Sequence, residues 1–198
     1  METTREYVGN TASQLTIAAF VGSLSISWRI WRAGSSSGVR FLPLISIIIC
    51  TLIWLRYSWI TGDTRVTLAS ACGLILMTVN ATVHRAFAPH PGPVMPLVAA
   101  LLLTYMACTI MRAKELGQLA FILSVAYHLA PIATMPILTR TEICLGKITI
   151  FGLWTLYAGL AGDQPLYASC LIGFVSGIAE VAFTSQMLLP HSFRREGQ

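Results

Sequence analysis

The chain has 198 residues, of which 55% are apolar and only 11% charged, and its mean hydropathy is +0.70. This composition excludes an ordinary soluble domain. The formal charge of +5 is scattered over short links rather than gathered into a patch, which argues against a nucleic-acid surface.

In chain order, the apolar segments run from about Leu15 to Trp31, Phe41 to Ile60, Val66 to Val83, Val94 to Met111, Leu119 to Leu138, Ile143 to Leu160 and Leu166 to Leu189. Each approaches the ~20 residues a helix needs to cross hydrocarbon, where backbone polar groups must be satisfied within the helix. An all-α membrane protein with seven transmembrane helices is therefore expected. The opening residues, METTREYVGN, lack the basic region and small-residue cleavage site of a secretory signal, so the first span is expected to be retained. The longest links, Arg32 to Arg40, His84 to Pro93 and the tail after Leu189, are too short for a soluble catalytic domain. No enzyme, metal or cofactor is expected, since neither a nucleotide-binding motif nor a catalytic constellation is present. Cys50, Cys72, Cys108, Cys144 and Cys170 all fall in apolar segments without C-x-x-C spacing and read as small packing residues. Asn80-Ala81-Thr82 matches the glycosylation sequon but lies inside a predicted span.

Orientation follows from the basic residues. With the N-terminus outside, the cytoplasmic side collects Arg29, Arg32, Arg40, Arg85, Arg140, Lys147, Arg194 and Arg195, against Arg5, Arg56, Arg65, Arg112 and Lys114 outside. The asymmetry favours an external N-terminus and a cytoplasmic C-terminus.

The sequence also repeats itself. LIWLRYSWITGD, from Leu52 to Asp63, returns as GLWTLYAGLAGD, from Gly152 to Asp163, so that Trp54, Tyr57, Gly62 and Asp63 recur as Trp154, Tyr157, Gly162 and Asp163. Gly73 and Gly173 extend the correspondence, matching segments two and three with six and seven. If segment one matches five, three helices, one linker helix and three more make up the chain. A three-helix unit ends on the side opposite its start, and the linker helix restores the direction, so the two repeats are expected to be parallel. The corresponding boundaries are residues 1–87, 88–115 and 116–198.

These residues resemble the SWEET sugar-transporter family, which has two such three-helix repeats around a linker helix. The resemblance runs through GSSSGVRFLPL (Gly34 to Leu44), WLRYSWITGD, Gly73, APIATM with Pro131, Arg140-Thr141 and WTLYAGLAGD. It implies facilitative uniport of a mono- or disaccharide by alternating access, with membrane lipid and sugar as partners, no nucleic acid, and either a homo- or a hetero-oligomer permitted. A plasma-membrane location is expected. It also implies a substrate site at Trp54, Ser70, Trp154 and Cys170, an outer gate at Tyr57 and Asp63, and hinges at Pro43 and Pro131.

The residue chemistry agrees in part. A sugar offers apolar C–H faces and hydroxyls, matched by aromatic planes and polar groups. Trp54 lies ~9 Å below Ile60 by helix rise, deeper than an interfacial anchor. Where the family carries asparagines, this chain has Ser70 and Cys170; where the family has a proline in helix one, it has Ser23 or Ser25. Those departures motivate the alternative of a transport-deficient paralogue serving as a membrane partner subunit. A seven-helix receptor fits the span count but predicts no internal repeat. Glu180 and Asn80 also stand a hundred residues apart, and a protonated Glu180 bonded to Asn80 or a neighbouring hydroxyl is expected.

Overall fold

The computed structural model describes residues 2–93, 95–129 and 140–188. Among the described residues the chain is all helical, in eight segments: α1 (Glu2–Gly22), α2 (Leu24–Ala33), α3 (Phe41–Thr61), α4 (Thr64–Ala86), α5 (Met95–Ile110), α6 (Ala113–Leu129), α7 (Arg140–Ala161) and α8 (Gln164–Leu188). They follow the seven apolar segments, with the first divided at Ser23 into α1 and α2. That first helix begins at Glu2, well before the apolar run, because polar residues such as Thr11 and Asn10 are tolerated where the helix projects beyond the hydrocarbon.

Among the described residues, four helices are long and apolar enough to cross a membrane on their own: α3, α4, α7 from Cys144, and α8 to Ala182; α5 is apolar but has 16 residues. The chain is an integral membrane protein.

The repeated Gly-Asp pair has a local cause. Gly62 (φ 75°) and Gly162 (φ 72°) end α3 and α7 in the left-handed conformation, which a side chain would strain. The aspartate that follows caps the next helix. Asp63 Oδ1 accepts from the amides of Arg65 (3.0 Å) and Val66 (3.2 Å), and Asp163 Oδ1 from Leu166 (3.0 Å). Each pair thus turns one span tightly into its antiparallel neighbour. Pro43 sits in the first turn of α3, where its missing N–H would have had no helical partner. It starts that helix without breaking it, and Pro131 lies outside the described residues.

Helices α1, α2, α3 and α4 pack together, as do α6, α7 and α8, while α1 lies against α7 and α3 against α6. The linker helix α5 rests on α3, where Arg56 Nε donates to the Cys108 carbonyl at 3.3 Å. The two halves meet in reciprocal contacts. Val8, Ala12, Trp154 and Tyr157 belong to one buried cluster, and Tyr57, Leu116 and Ala120 to another. In these contacts Val8, Gly9 and Ala12 of α1 correspond to Leu116, Gly117 and Ala120 of α6, an offset of 108 residues rather than 100. The second repeat is eight residues shorter between its first and second helices. This is a parallel 3+1+3 arrangement, with one half brought onto the other by a two-fold rotation.

Candidate functional site at the interface of the repeats

The site grows from helical spacing. Trp54 and Tyr57 are three residues apart on α3 and so share a face; their rings meet edge to face at 5.4 Å. Trp154 and Tyr157 repeat the arrangement on α7 at 5.6 Å. Both faces turn toward the other repeat. Trp54 Nε1–H donates to Ser124 Oγ of α6 at 3.4 Å, and Trp154 Nε1–H donates to Thr16 Oγ1 of α1 at 2.8 Å. Ser124 and Thr16 are themselves equivalent at the 108-residue offset. Each indole is therefore oriented by a hydroxyl from the opposite half.

One turn nearer the Gly-Asp turns, the tyrosines cross as well. Tyr57 Oη–H donates to Asp163 Oδ1 at 2.8 Å, and Tyr157 Oη–H donates to Asp63 Oδ2 at 2.7 Å. The structure does not pair Tyr57 with Asp63, as the sequence suggested; each tyrosine takes the aspartate of the other repeat. The reason is directional. A helix carries Tyr57 on its inward face, whereas the tight turn carries Asp63 back over its own α4, so the two carboxylates lie across the interface from their own tyrosines. Two charge-assisted hydrogen bonds, each worth about 1.5–3 kcal/mol net, tie the two repeats together at the end of the Gly-Asp turns.

Two glycines missed in the sequence make the crossing feasible. A Cβ on Gly9 would stand 2.6 Å from both Tyr157 and Arg65, and one on Gly117 would stand 3.1 Å from Tyr57 and 2.8 Å from Pro165. Only a bare backbone lets the first helix of each half lie close enough to the opposing tyrosine. Their equivalence at an offset of 108 could have been found by searching for a second register, which the hundred-residue match conceals. On the first repeat's side Arg65 adds a further layer: its guanidinium lies over the Tyr157 ring at 5.9 Å, bonds Asn10 at 2.9 Å and pairs with Glu6 at 3.6 Å.

Of the other expected site residues, Trp154 and Cys170 are buried in one cluster with Tyr157, and Trp54 packs against it. Ser70 is buried on α4, seven residues past Asp63, and Trp54 lies seven residues before Thr61. Both are therefore ~10 Å from the helix ends at the Gly-Asp turns by helix rise. The four expected residues share one depth beneath the crossed tyrosines. Outside the crossing, Tyr57, Lys114, Asp163 and Gln164 line a shallow depression of about 300 Å³.

Glu180 differs from expectation. It does not meet Asn80; it accepts from Lys147 Nζ at 2.7 Å, with Cys144 Sγ donating at 3.4 Å. The acid is an ion-paired carboxylate in the second half, whereas Asn80 is fully buried in the first. Lys147 read as a loop charge, but α7 starts at Arg140 and carries Lys147 two turns into the helix, facing α8. The ammonium supplies the opposite charge that a carboxylate largely removed from water needs beside it.

Comparison with known proteins shows what the chain is similar to. Residues 6–91 match the family described as "Sugar efflux transporter for intercellular exchange". The bidirectional sugar transporter SWEET15 of Oryza sativa subsp. indica is 21% identical over 88% of this chain and 61% of its own length. The sugar transporter SWEET1 of Mus musculus is 23% identical over 87% of this chain and 86% of its own. A eukaryotic SWEET transporter of known structure superposes with a TM-score of 0.78, covering 93% of this chain and 98% of that one at 17% identity, and so shares its fold. The chain spans about 60% of the length of the rice relatives it matches. Within the SWEET fold, the paired tryptophans and the crossed tyrosine–aspartate bonds occupy the interface between the repeats.

Proposed function

We propose that this protein carries a mono- or disaccharide down its gradient by alternating access, without a cofactor or a coupled ion. The observation that carries the proposal is the reciprocal interface: two indoles at one depth, each oriented by a hydroxyl of the other half, beneath two crossed tyrosine–aspartate bonds. The sugar-transporter names of the curated relatives support the substrate class.

In this reading, the sugar's C–H faces stack between Trp54 and Trp154, while Ser70 and Cys170 flank it on α4 and α8. Serine supplies one hydroxyl and cysteine a weak thiol, so most recognition energy comes from stacking and shape rather than from hydrogen bonds. Weak polar recognition suits a carrier that must release its cargo. Tyr57 with Asp163 and Tyr157 with Asp63 form the outer gate; breaking both lets residues 1–87 and 116–198 rock apart outside and together inside, with residues 88–115 as the tether. The external N-terminus follows the distribution of basic residues, and a plasma-membrane location is part of the same proposal.

Uptake of labelled glucose, fructose and sucrose into proteoliposomes tests the proposal. Saturable flux above empty vesicles is expected for at least one of them, unaffected by proton or sodium ionophores. Folded protein that moves none of the three would favour a partner subunit without transport activity.

A further inference from the structure

We infer that Asn80 is a positioning residue for transport: its amide clamps a bend in the first helix at Ser23. The inference rests on the transport reading for its consequence, but not for its geometry.

The first apolar segment is a single run in sequence, yet it forms two helices, α1 ending at Gly22 and α2 starting at Leu24. At the junction the Ser23 amide is shared between the carbonyls of Ala19 (3.0 Å) and Phe20 (3.1 Å), and the Ile26 amide reaches back only three residues, to Ser23, at 2.9 Å. The Ser23 hydroxyl also donates to the Phe20 carbonyl at 2.6 Å. A hydroxyl that enters the backbone ladder in this way loosens and bends a helix. The equivalent of Ser23 at the 108-residue offset is Pro131. Proline disrupts the ladder by lacking an N–H, a covalent and permanent device. Serine supplies only a tendency, which needs a partner to hold it.

Asn80 is that partner. It is fully buried on α4, its Nδ2 donates to Ser23 Oγ at 2.9 Å, and its Oδ1 accepts from the hydroxyl of Ser27, one turn farther along in α2. One side chain therefore grips both edges of the bend. The grip needs a donor and an acceptor on the same group, which an amide has and which an ionised carboxylate or an aliphatic side chain lacks.

The position of the bend matters mechanically. Above it, α1 packs on α7 of the opposite repeat as well as on α4 of its own, whereas below it α2 packs on α4 and not on the opposite repeat's α7. A helix gripped at both edges of Ser23 can let its outer part follow one half while its inner part stays with the other. Without the clamp the inner part is free to straighten or splay, and the two halves lose a defined pivot.

The test combines distance and flux measurements in proteoliposomes. Spin labels on non-canonical residues introduced at Gln14 and Arg32, both exposed, report the angle across the bend. Asn80→Leu should broaden the distance distribution and slow sugar flux about tenfold, the size expected for losing two buried hydrogen bonds. Ser27→Ala, a smaller change that serves if the leucine variant folds poorly, should broaden the distribution partially. Adding Ser23→Pro to Asn80→Leu should narrow the distribution again and return flux to within about twofold of wild type, which no general loss of stability would do. An unchanged distribution in both single variants, or a failure of Ser23→Pro to restore it, overturns the clamp. If the wild-type protein moves no sugar, the transport reading fails, and the distance distributions still decide the clamp.

Discussion

Removing the charge on Glu180 should destabilise the second half of the protein, although a neutral residue is ordinarily cheaper inside a membrane. Lys147 Nζ and Glu180 Oε1 are 2.7 Å apart, and their side chains are 15% and 17% exposed. At an effective dielectric near 20, two charges at that distance attract by roughly 6 kcal/mol, most of it offset by taking both ions out of water. The net value of the pair is therefore small, but losing one member leaves the other charge stranded, at a cost of about 3–5 kcal/mol. Glu180→Leu should cost about that much. Glu180→Gln leaves a carbonyl facing the ammonium and should cost about half, roughly 2 kcal/mol. The double variant Lys147→Leu/Glu180→Leu has no charge to strand and should return to within about 1 kcal/mol of wild type. Unfolding in detergent micelles, followed by tryptophan fluorescence for the wild type, the two Glu180 variants, Lys147→Leu and the double variant, gives the coupling directly. Additive losses, with the double variant worse than either single, would show that the pair does not carry the stability assigned to it.

Three further outcomes follow from the interface. Tyr57→Phe/Tyr157→Phe removes both crossed bonds while keeping the rings, so Cys170, now 5% exposed, should react faster with a membrane-impermeant maleimide added outside; unchanged labelling would mean that something else closes the outer end. Gly9→Ala and Gly117→Ala each push a methyl group toward the opposing tyrosine, and each should lower stability by about 1–3 kcal/mol and raise the same labelling, with Gly9 the worse because its contacts are tighter. Trp154→Phe keeps a plane but releases Thr16, and should weaken sugar affinity more than the flux at saturation; equal loss in both would argue against a role in orienting the indole.

Much of the architecture was legible because a repeat with Trp, Tyr, Gly and Asp at fixed spacing has a local meaning: an inward aromatic face, a left-handed stop and a helix cap. Asp63 and Asp163 could be read as caps, and Trp54 and Trp154 as equivalents. Their partners could not. A repeat specifies which residues are equivalent, but a two-fold axis decides whether Tyr57 meets its own aspartate or the other one, and that is a property of the assembled halves. The first helices were hidden for a different reason. Their offset of 108 breaks the hundred-residue rule, so Gly9 with Gly117, Thr16 with Ser124 and Ser23 with Pro131 did not register as pairs. Lys147 was missed because it lies near the end of an apolar run, where a cation reads as a link; only the start of α7 at Arg140 turns it inward.

The account's central claim is that sugar passes between the repeats and that the crossed tyrosine–aspartate bonds close the path on the outside. A reversible lock tests it most directly. In Tyr57→Cys/Asp163→Cys, the two positions already held together at 2.8 Å by the native side chains can be bridged by a short bifunctional thiol reagent cleavable by reductant, and sugar flux into proteoliposomes measured before bridging, after it and after reduction. Flux that stops on bridging and returns on reduction, with the wild type insensitive to both treatments, is the expected result. Flux that continues through the bridged protein would contradict the claim, because the sugar would then be moving by a route that this gate does not control.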